Sequence, residues 1–535
     1  SSSDFVSWTF RKAKKFFDIQ TWTGDGNDGR TISHNLGSTP GMIIVARRDN
    51  TNYWRTWHRS QTGKYAALYD TGVFNDDTAS SGVFNDYSGN DSTFTLGINI
   101  NANGATYVAY LFAHNNNDGE FGPDGDADII KCGSYTGNGG TQDIDVGFEP
   151  QWVMLKNTGN TSNWIIVDMM RNFIVDSSAD SSTLRPNTSD SESNSTVGRI
   201  GPRPNGFGFI NEGGNDLNSN YTYIYMAIRR GPLAAPDDAT KVFAIDAATQ
   251  DSSAETQSLG KYDSGWFFKR STSEGYAVPR ILGRRISFLT GQYAALNWDP
   301  GLDNSQGKYF SYTSDSAINY FLKRAPGFFD HLAYSGTDSV NTHQHNLTVQ
   351  PEMMWIRKLN TSSADALVYH KDLSASTDLR LNTNAPSTDS NIYNNTRPTD
   401  TVFTVGTSHK LNNNEGSVNY YAMLFASVSG VSKVGSYTGN GSNQTIDCGF
   451  TAGARFILIR RADAGGYNST VRYYVWDTVR GITSGSDPHI HLYRETTSEP
   501  SDSSINPHSS GFIVNEISAT NINVSSASYI FYAIA

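Results

Sequence analysis

The sequence GSYTGNG at residues 133–139 is followed by TQDIDVGF at 141–148 and by the apolar run WVMLK at 152–156. The same order recurs in the last quarter of the chain, from GSYTGNG at 435–441 to FILIR at 456–460. A strand, a tight Gly/Asn turn, a short alternating strand and a buried strand account for this pattern. The pattern therefore predicts that the chain contains copies of one small β unit.

A tyrosine-rich stretch is predicted to be the strand that closes each unit. It occurs as YVAYLFA at 107–113, YIYMAIR at 223–229, YYAMLFA at 420–426, YIFYAIA at 529–535 and, in a weaker copy, INYFLK at 318–323. Short strands separated by turn residues are typical of sandwiches and small barrels. The predicted fold class is all-β, a tandem array of small antiparallel β-sandwich modules of the jelly-roll or lectin-like kind. Short links between the modules predict that they pack end to end.

The repeats divide the chain into five modules. They span residues 14–116 (module 1), 129–230 (module 2), 236–324 (module 3, divergent and shorter), 325–427 (module 4, which resembles module 1) and 431–535 (module 5, which resembles module 2). Residues 5–13 align with 317–325, where module 3 ends. Residues 1–13 are therefore expected to hold the closing strand of a missing upstream module, followed by a lead-in segment.

Length and composition narrow the function classes. The 535 residues are too many for one hydrophobic core, and 12% aromatic with only 17% charged residues argues against disorder. The net charge of −11 is spread without long basic runs, so nucleic acid is not an expected partner. The sequence contains no run of about 20 apolar residues, which a membrane-spanning helix would require. Cys132 and Cys448 align with apolar positions and are predicted to be buried free thiols.

Two patterns raise the question of a metal. Asp124, Asp126 and Asp128 alternate like the start of a calcium loop, but strand-like residues follow where that loop requires a glycine and a glutamate. Solvated linker acids are the favoured interpretation, and calcium is the one ion left open. His343 and His345 share one face of a regular strand, yet no third ligand is evident. No other cofactor is expected.

Other histidines recur at fixed repeat positions. His58 and His370 stand where modules 2 and 5 carry Asp168 and Asp477. A side chain at a strand end that bonds the adjacent loop explains both residue types, since no nucleophile or metal partner accompanies them. We expect no enzyme, with a glycan depolymerase as the minor alternative. A capping role in a tight turn is predicted for His34 and His345.

Aromatic side chains are the better functional candidates. Trp54 and Trp57 lie three residues apart, hence on opposite faces of a regular strand, so that one belongs in the core and the other can be exposed. Sugar rings are held by exposed aromatic plates beside Asn, Asp and Ser loops. Trp22, Trp54 and Trp57 are the possible glycan contacts, and core packing is the competing interpretation for each.

Four motifs carry a resemblance to a known group of proteins. They are KRAPGFFD at 323–330, YTGNG at 135–139 and 437–441, HNLG at 34–37 and YIYMAIRR at 223–230. With these motifs the chain resembles repeat-bearing structural proteins of marine tailed bacteriophages, which are described as tail-fibre or concanavalin-A-like lectin-type proteins. The resemblance implies a structural protein on the virion surface, a tail fibre or surface appendage with host-glycan recognition.

Two other functions stay open. One is a capsid-decorating or filament-forming protein without sugar binding, and the other is a bacterial surface adhesin. The partners expected for a fibre are further copies of the chain, as a homotrimer, other virion proteins and a host-surface glycan.

Overall fold

The structure is almost entirely β, and the prediction of an all-β fold is confirmed. The computed structural model describes residues 7–51, 54–78, 82–170, 173, 182–192, 199–210, 217–247, 262–269, 275–282, 285–289, 296–297, 317–359, 365–381, 387–412, 419–463, 472–492, 501–517 and 520–535. Helical structure among them is limited to α1 (His409–Asn412) and three 3-10 turns, Ile98–Ile100, Ala239–Lys241 and Arg280–Leu282. No helix in these ranges is long and apolar enough to cross a lipid bilayer.

The chain forms two compact units, residues 1–231 (unit 1) and 232–535 (unit 2). Unit 1 contains the strands of modules 1 and 2. Those of module 1 are β1 (Phe17–Thr23), β2 (Arg30–Ser33), β3 (Met42–Arg47), β4 (Arg55–His58), β5 (Lys64–Ala67), β6 (Asn75–Asp76), β7 (Thr93–Leu96) and β8 (Thr106–Phe112). Those of module 2 are β9 (Ile130–Thr136), β10 (Gln142–Asp145), β11 (Pro150–Asn157), β12 (Ile165–Asp168), β13 (Arg199–Arg203), β14 (Gly206–Ile210) and β15 (Thr222–Arg229).

Unit 2 contains the other three modules. Module 3 has β16 (Phe243–Ala247), β17 (Ser264–Lys269), β18 (Gly275–Pro279), β19 (Arg285–Phe288), β20 (Leu296–Asn297) and β21 (Ala317–Leu322). Module 4 has β22 (Phe329–Ser335), β23 (Asn341–Gln344), β24 (Met353–Lys358), β25 (Ala366–His370), β26 (Thr377–Arg380), β27 (Ser387–Thr388), β28 (Val402–Val405) and β29 (Asn419–Phe425). Module 5 has β30 (Ser432–Thr438), β31 (Gln444–Asp447), β32 (Phe456–Arg461), β33 (Tyr474–Asp477), β34 (Asp487–Pro488), β35 (Ile490–His491), β36 (Ser501–Asp502), β37 (Ile505–His508), β38 (Gly511–Val514) and β39 (Ser528–Ile534).

The closing strand takes the same topological place in every module, between the first strand and the buried apolar strand. The large sheets are ordered β1-β8-β3-β4-β5-β6, β9-β15-β11-β12, β16-β21-β17-β18-β19-β20, β22-β29-β24-β25-β26-β27 and β30-β39-β32-β33-β35, and their pairings are antiparallel. A smaller sheet, β2-β7, β10-β14-β13, β23-β28 or β31-β38-β37, completes modules 1, 2, 4 and 5. The prediction that tyrosine-rich strands close equivalent units is therefore confirmed.

An aromatic residue before the Gly turn anchors the open end of each full module. Its ring stacks on the first tyrosine of the closing strand, in the pairs Trp22–Tyr107 (5.3 Å), Tyr135–Tyr223 (5.1 Å), Tyr334–Tyr420 (5.0 Å) and Tyr437–Tyr529 (4.8 Å). Its polar hydrogen is donated to the carbonyl that precedes a buried asparagine, on Ile100, Leu217, Leu411 or Ile522. These contacts explain why a large aromatic side chain with a polar tip stands at this repeat position.

The two glycines of the YTGNG turn are required for different reasons. A Cβ atom on Gly137 would lie 2.2 Å from the Ser219 carbonyl oxygen, whereas Gly139 has a φ of +70°. The buried Asn218 accepts a hydrogen bond from the Asn138 amide at 3.2 Å. Module 5 repeats this arrangement with Gly439, Gly441, Asn440 and Asn523. Sequence patterns did not predict the asparagines that bind the turn. The one signal shared by their positions is an aliphatic residue directly before each asparagine.

The modules of each unit pack through their large sheets, so the prediction of end-to-end packing is wrong. The core of unit 1 joins Met42 and Ile44 of module 1 to Trp152 and Met226 of module 2. The physical reason lies in the central strands, which are apolar on both faces: every residue of β29 is buried. One face covers the small sheet of its own module, and the other requires a neighbouring module to cover it.

Candidate functional site

The three tryptophans proposed as glycan contacts do not come together. Trp22 is 7% exposed, stacked on Tyr107, and Trp57 is 1% exposed. The Trp57 indole donates a hydrogen bond to the Tyr87 carbonyl at 2.9 Å, which identifies it as a core residue. Trp54 is 42% exposed, and its ring stacks on Tyr110 with centroids 6.1 Å apart. Only Trp54 of the three can therefore touch a ligand without rearrangement of the core.

The histidine or aspartate at the repeated strand-end position accepts a hydrogen bond from a nearby backbone amide. Nδ1 of His58 accepts a hydrogen bond from the Ser60 amide at 3.2 Å, and Oδ1 of Asp168 accepts one from the Met170 amide at 3.0 Å. Burial lowers the pKa of His58 to about 4. His34 makes the predicted cap, since its Nδ1 accepts from the Leu36 amide at 3.3 Å. Either residue type can occupy the strand end because the interaction requires only an acceptor.

The equivalent positions of the second half behave in the same way. His370, Asp477 and His345 accept hydrogen bonds from the amides two residues further on, at 3.2, 3.0 and 3.3 Å. His343 instead stacks on Tyr334, with ring centroids 4.0 Å apart.

The acidic linker of unit 1 is part of a turn. Asp128 accepts hydrogen bonds from the amides of Asn117 and Gly119, both at 2.8 Å, while Asp124 and Asp126 are exposed. Within the described ranges, no three His, Cys, Asp or Glu side chains lie close enough to hold a metal ion. Cys132 and Cys448 are buried free thiols, as predicted, and burial raises the pKa of Cys448 to about 12.

Module 5 has a buried acid–histidine cluster that sequence patterns did not indicate. Oδ2 of Asp487 accepts a hydrogen bond from the Ile505 amide at 2.9 Å, yet burial outweighs this bond and raises the pKa of Asp487 to about 7. His489 lies 4.0 Å from Asp502. Asp487 and His489 are at most 1% exposed, so the cluster lies in the interior of module 5.

A polar crevice of about 700 Å³ lies beside the Gly turn of module 5. It is lined by Gly441, Ser442, Asn443, Ser503, Asn515, Glu516 and Ile517. The side-chain amide of Asn515 fixes one wall by donating to the Ser503 carbonyl at 2.6 Å, and Asn523 holds the turn on the other side. Ser442, Asn443 and Glu516 are exposed, so hydroxyl, amide and carboxylate groups face solvent together. No sequence pattern predicted this site, because its two walls are loops at least 60 residues apart.

An apolar groove of about 560 Å³ crosses unit 1 between the large sheets of modules 1 and 2. Its lining includes Ile44 and Phe112 of module 1, Trp152 and Met226 of module 2, and Trp54 at the rim. Trp8 and Phe10, from the segment before β1, occupy part of it. The groove and the polar crevice are both surface sites lined by described residues.

Comparison with known proteins assigns the chain to a family without assigning it an activity. No curated protein matches the sequence. Residues 6–232 and 244–535, nearly the whole chain, match the family described as "Domain of unknown function (DUF7483)". The chain therefore belongs to the DUF7483 family.

Proposed function

We propose that this chain is a structural protein of a bacteriophage virion, a tail fibre or surface appendage that recognises a host glycan. The resemblance of its repeated motifs to phage structural proteins supports the virion role. Modules with complete sheet-built cores also suit this role, since they hold loops rigidly at their ends, where binding residues commonly lie. The fold alone carries no function, so the recognition part of the proposal depends on a particular site.

The polar crevice of module 5 is the observation that carries glycan recognition. Sugars present many hydroxyl groups, each of which both donates and accepts hydrogen bonds. Ser442 supplies a hydroxyl, Asn443 an amide and Glu516 an acceptor carboxylate, all at the rim of a concave site. The walls are held by Asn515 and Asn523, so that binding requires little ordering of the loops.

A glycan array probed with the full chain tests this proposal. We expect at least one glycan to bind, and Asn443→Ala/Glu516→Ala to weaken that binding tenfold or more, because both exposed side chains belong to the crevice rather than the core. Glu120→Ala is the matched control: it removes an exposed carboxylate of unit 1 and should leave binding unchanged. Binding that survives the double substitution, or no binding to any glycan, contradicts the assignment. Reducing-sugar release from a bound glycan would identify a depolymerase instead.

A homotrimer that contacts other virion proteins is the assembly proposed with the fibre. Light scattering at micromolar concentration should then give three times the mass of one chain. A monomer at that concentration would contradict the trimer without affecting the glycan site.

A capsid-decorating or filament-forming protein without sugar binding is the second candidate. The apolar groove of unit 1 favours it, since contiguous apolar surface is typical of protein contacts. A chain that binds purified virion proteins but no glycan would support this function over the first.

A further inference from the structure

The segment before β1 follows the same path in unit 1 as the end of module 3 does in unit 2. Nε1 of Trp8 donates a hydrogen bond to Oδ2 of Asp168 at 3.1 Å. Oη of Tyr320, the residue aligned with Trp8, donates to Oδ2 of Asp477 at 2.8 Å. The two carboxylates are equivalent, because Asp168 pairs with Trp152 in the register in which Asp477 pairs with Phe456.

Ring contacts and an ion pair repeat with the same correspondence. Trp8 meets Trp152 edge-on at 6.4 Å, as Tyr320 meets Phe456 at 5.2 Å. Each of these aromatic residues is followed, four positions later, by a cation that forms an ion pair with the second residue of the next strand. The two pairs are Lys12–Asp18 and Arg324–Asp330, both at 2.6 Å. Residues 7–13 of unit 1 are thus placed as residues 319–325 of unit 2 are.

In unit 2 this segment belongs to a whole module that covers its neighbours. Tyr320 lies in β21, which pairs with β17, and β17 carries Trp266. The Trp266 ring packs on Trp355 at 4.9 Å, on Phe425 at 5.6 Å and on Phe456 at 6.2 Å. Module 3 therefore inserts one large aromatic side chain between modules 4 and 5.

The apolar groove of unit 1 is the equivalent of the place that Trp266 fills. By strand register, Ile44 corresponds to Trp355, Phe112 to Phe425 and Trp152 to Phe456. All three residues of unit 1 line the groove.

Exposure also differs on the sheet face that carries these residues. Ile19 is 36% exposed, whereas its equivalent His331 is 0% exposed and shares, through Tyr421, a hydrogen-bonded chain to Ser264 of module 3. Trp54 is 42% exposed and its equivalent Ala366 is 1% exposed. The same sheet face is thus covered in unit 2 and open in unit 1.

We propose that the apolar groove of unit 1 is the docking site for a β module of the module 3 type. The module's closing strand runs in line with residues 7–10, and its counterpart of Trp266 fills the space between Ile44, Phe112 and Trp152. Phe5 and Val6, which the sequence alignment places in that strand, lie outside the described residues. Residues 7–10 lie in none of the strands described for module 1, and in the proposed arrangement they continue a sheet of the added module.

Other occupants fit the groove less well. A glycan would bury most of its hydroxyl groups against aliphatic and aromatic side chains, because these form the greater part of the groove lining. The module 3 of a second copy already packs on modules 4 and 5 of its own chain through Trp266. A module of this type instead reproduces contacts that unit 2 makes already.

The test supplies such a module to the full chain. The fusion carries an additional copy of residues 232–316, joined directly before Phe5. This added copy therefore continues into residues 5–10. Hydroxyl-radical footprinting with mass spectrometry then measures the oxidation rate of Trp54, which we expect to fall at least threefold relative to the chain without the fusion. The matched control carries Trp266→Ser in the added copy alone, and there Trp54 should react as in the chain without the fusion.

Each other outcome overturns the proposal. These are an unchanged Trp54 rate, equal protection with Trp266→Ser in the added copy, and protection in the chain without the fusion accompanied by a doubled mass in light scattering, which would identify a second copy as the occupant. Protection of Trp54 by a glycan would do the same. A second fusion carries Ile19→His and Trp54→Ala. These substitutions place at both open positions the residue types that module 4 has at the equivalent positions. If hydrogen exchange finds no protected strands in the added copy of either fusion, the groove does not receive this module.

Discussion

The ion pair between Arg324 and Asp330 offers a sharp test of how the modules are held, because the chain contains its own control. Both side chains are 2% exposed, and the Arg324 Nε atom lies 2.6 Å from the Asp330 carboxylate. The equivalent pair of unit 1, Lys12 and Asp18, has the same separation, but the lysine is 55% exposed. Asp18 is itself 1% exposed, so the two pairs differ in the cation: Arg324 is buried, whereas water can take the place of the Lys12 ammonium group.

Arg324→Met should destabilise the strands around Asp330 much more than Lys12→Met destabilises those around Asp18. A buried charge that loses its partner costs about 3–5 kcal/mol, whereas loss of an exposed cation that water can replace should cost closer to the roughly 0–1 kcal/mol of surface pairs. Asp330 keeps the hydrogen bond from the Asn346 amide at 2.7 Å, so the lower end of the first range, about 3 kcal/mol, is expected. Asp18 keeps bonds from the Asn35 amide and from Gln20.

Hydrogen exchange measures this difference locally, which matters because a chain of two units need not unfold in one step. The opening free energies of the amides in β22 and β29 report on Arg324→Met, and those in β1 and β8 on Lys12→Met. The double variant Arg324→Met/Asp330→Asn leaves no unpaired charge and should recover most of the loss. Equal effects of the two single substitutions, or no recovery in the double variant, would refute the reasoning.

Three further perturbations have expected outcomes. Burial raises the pKa of Asp487 to about 7, above the usual carboxyl value. This residue therefore stabilises unit 2 at acid pH, and its contribution is lost as the pH rises from about 4 through 7. Asp487→Asn should flatten that part of the pH profile of stability measured by urea denaturation. Gly439→Ala should lower the unfolding free energy of module 5 by about 1–3 kcal/mol in hydrogen exchange, because its Cβ would lie 2.3 Å from the Val524 carbonyl oxygen, and an unaffected β30 would contradict this. Trp57→Ala should cost about 3–5 kcal/mol in urea denaturation, whereas the exposed Trp54→Ala should cost about 1 kcal/mol or less; similar losses would show that the assignment of core and surface is wrong.

The sequence alone determined the module and its order of strands. Its tight turn requires glycine at two positions, and a strand has a side-chain period of two, so these local rules repeat wherever the motif repeats. Residue pattern also predicted the strand-end role of His58, because its Nδ1 accepts from an amide only two residues away, and it predicted the buried thiols from their alignment with apolar positions.

Only the tertiary structure decided which faces of the sheets are covered. Sequence places Trp54 and Trp57 on opposite faces, but their exposure depends on side chains from distant parts of the chain: Tyr87 lies over Trp57, while no module packs over the rim at Trp54 within the described part of unit 1. The packing of modules through their large sheets and the raised pKa of Asp487 likewise depend on contacts between distant parts of the chain. Burial is a property of two surfaces in contact, and the local pattern specifies only one of them.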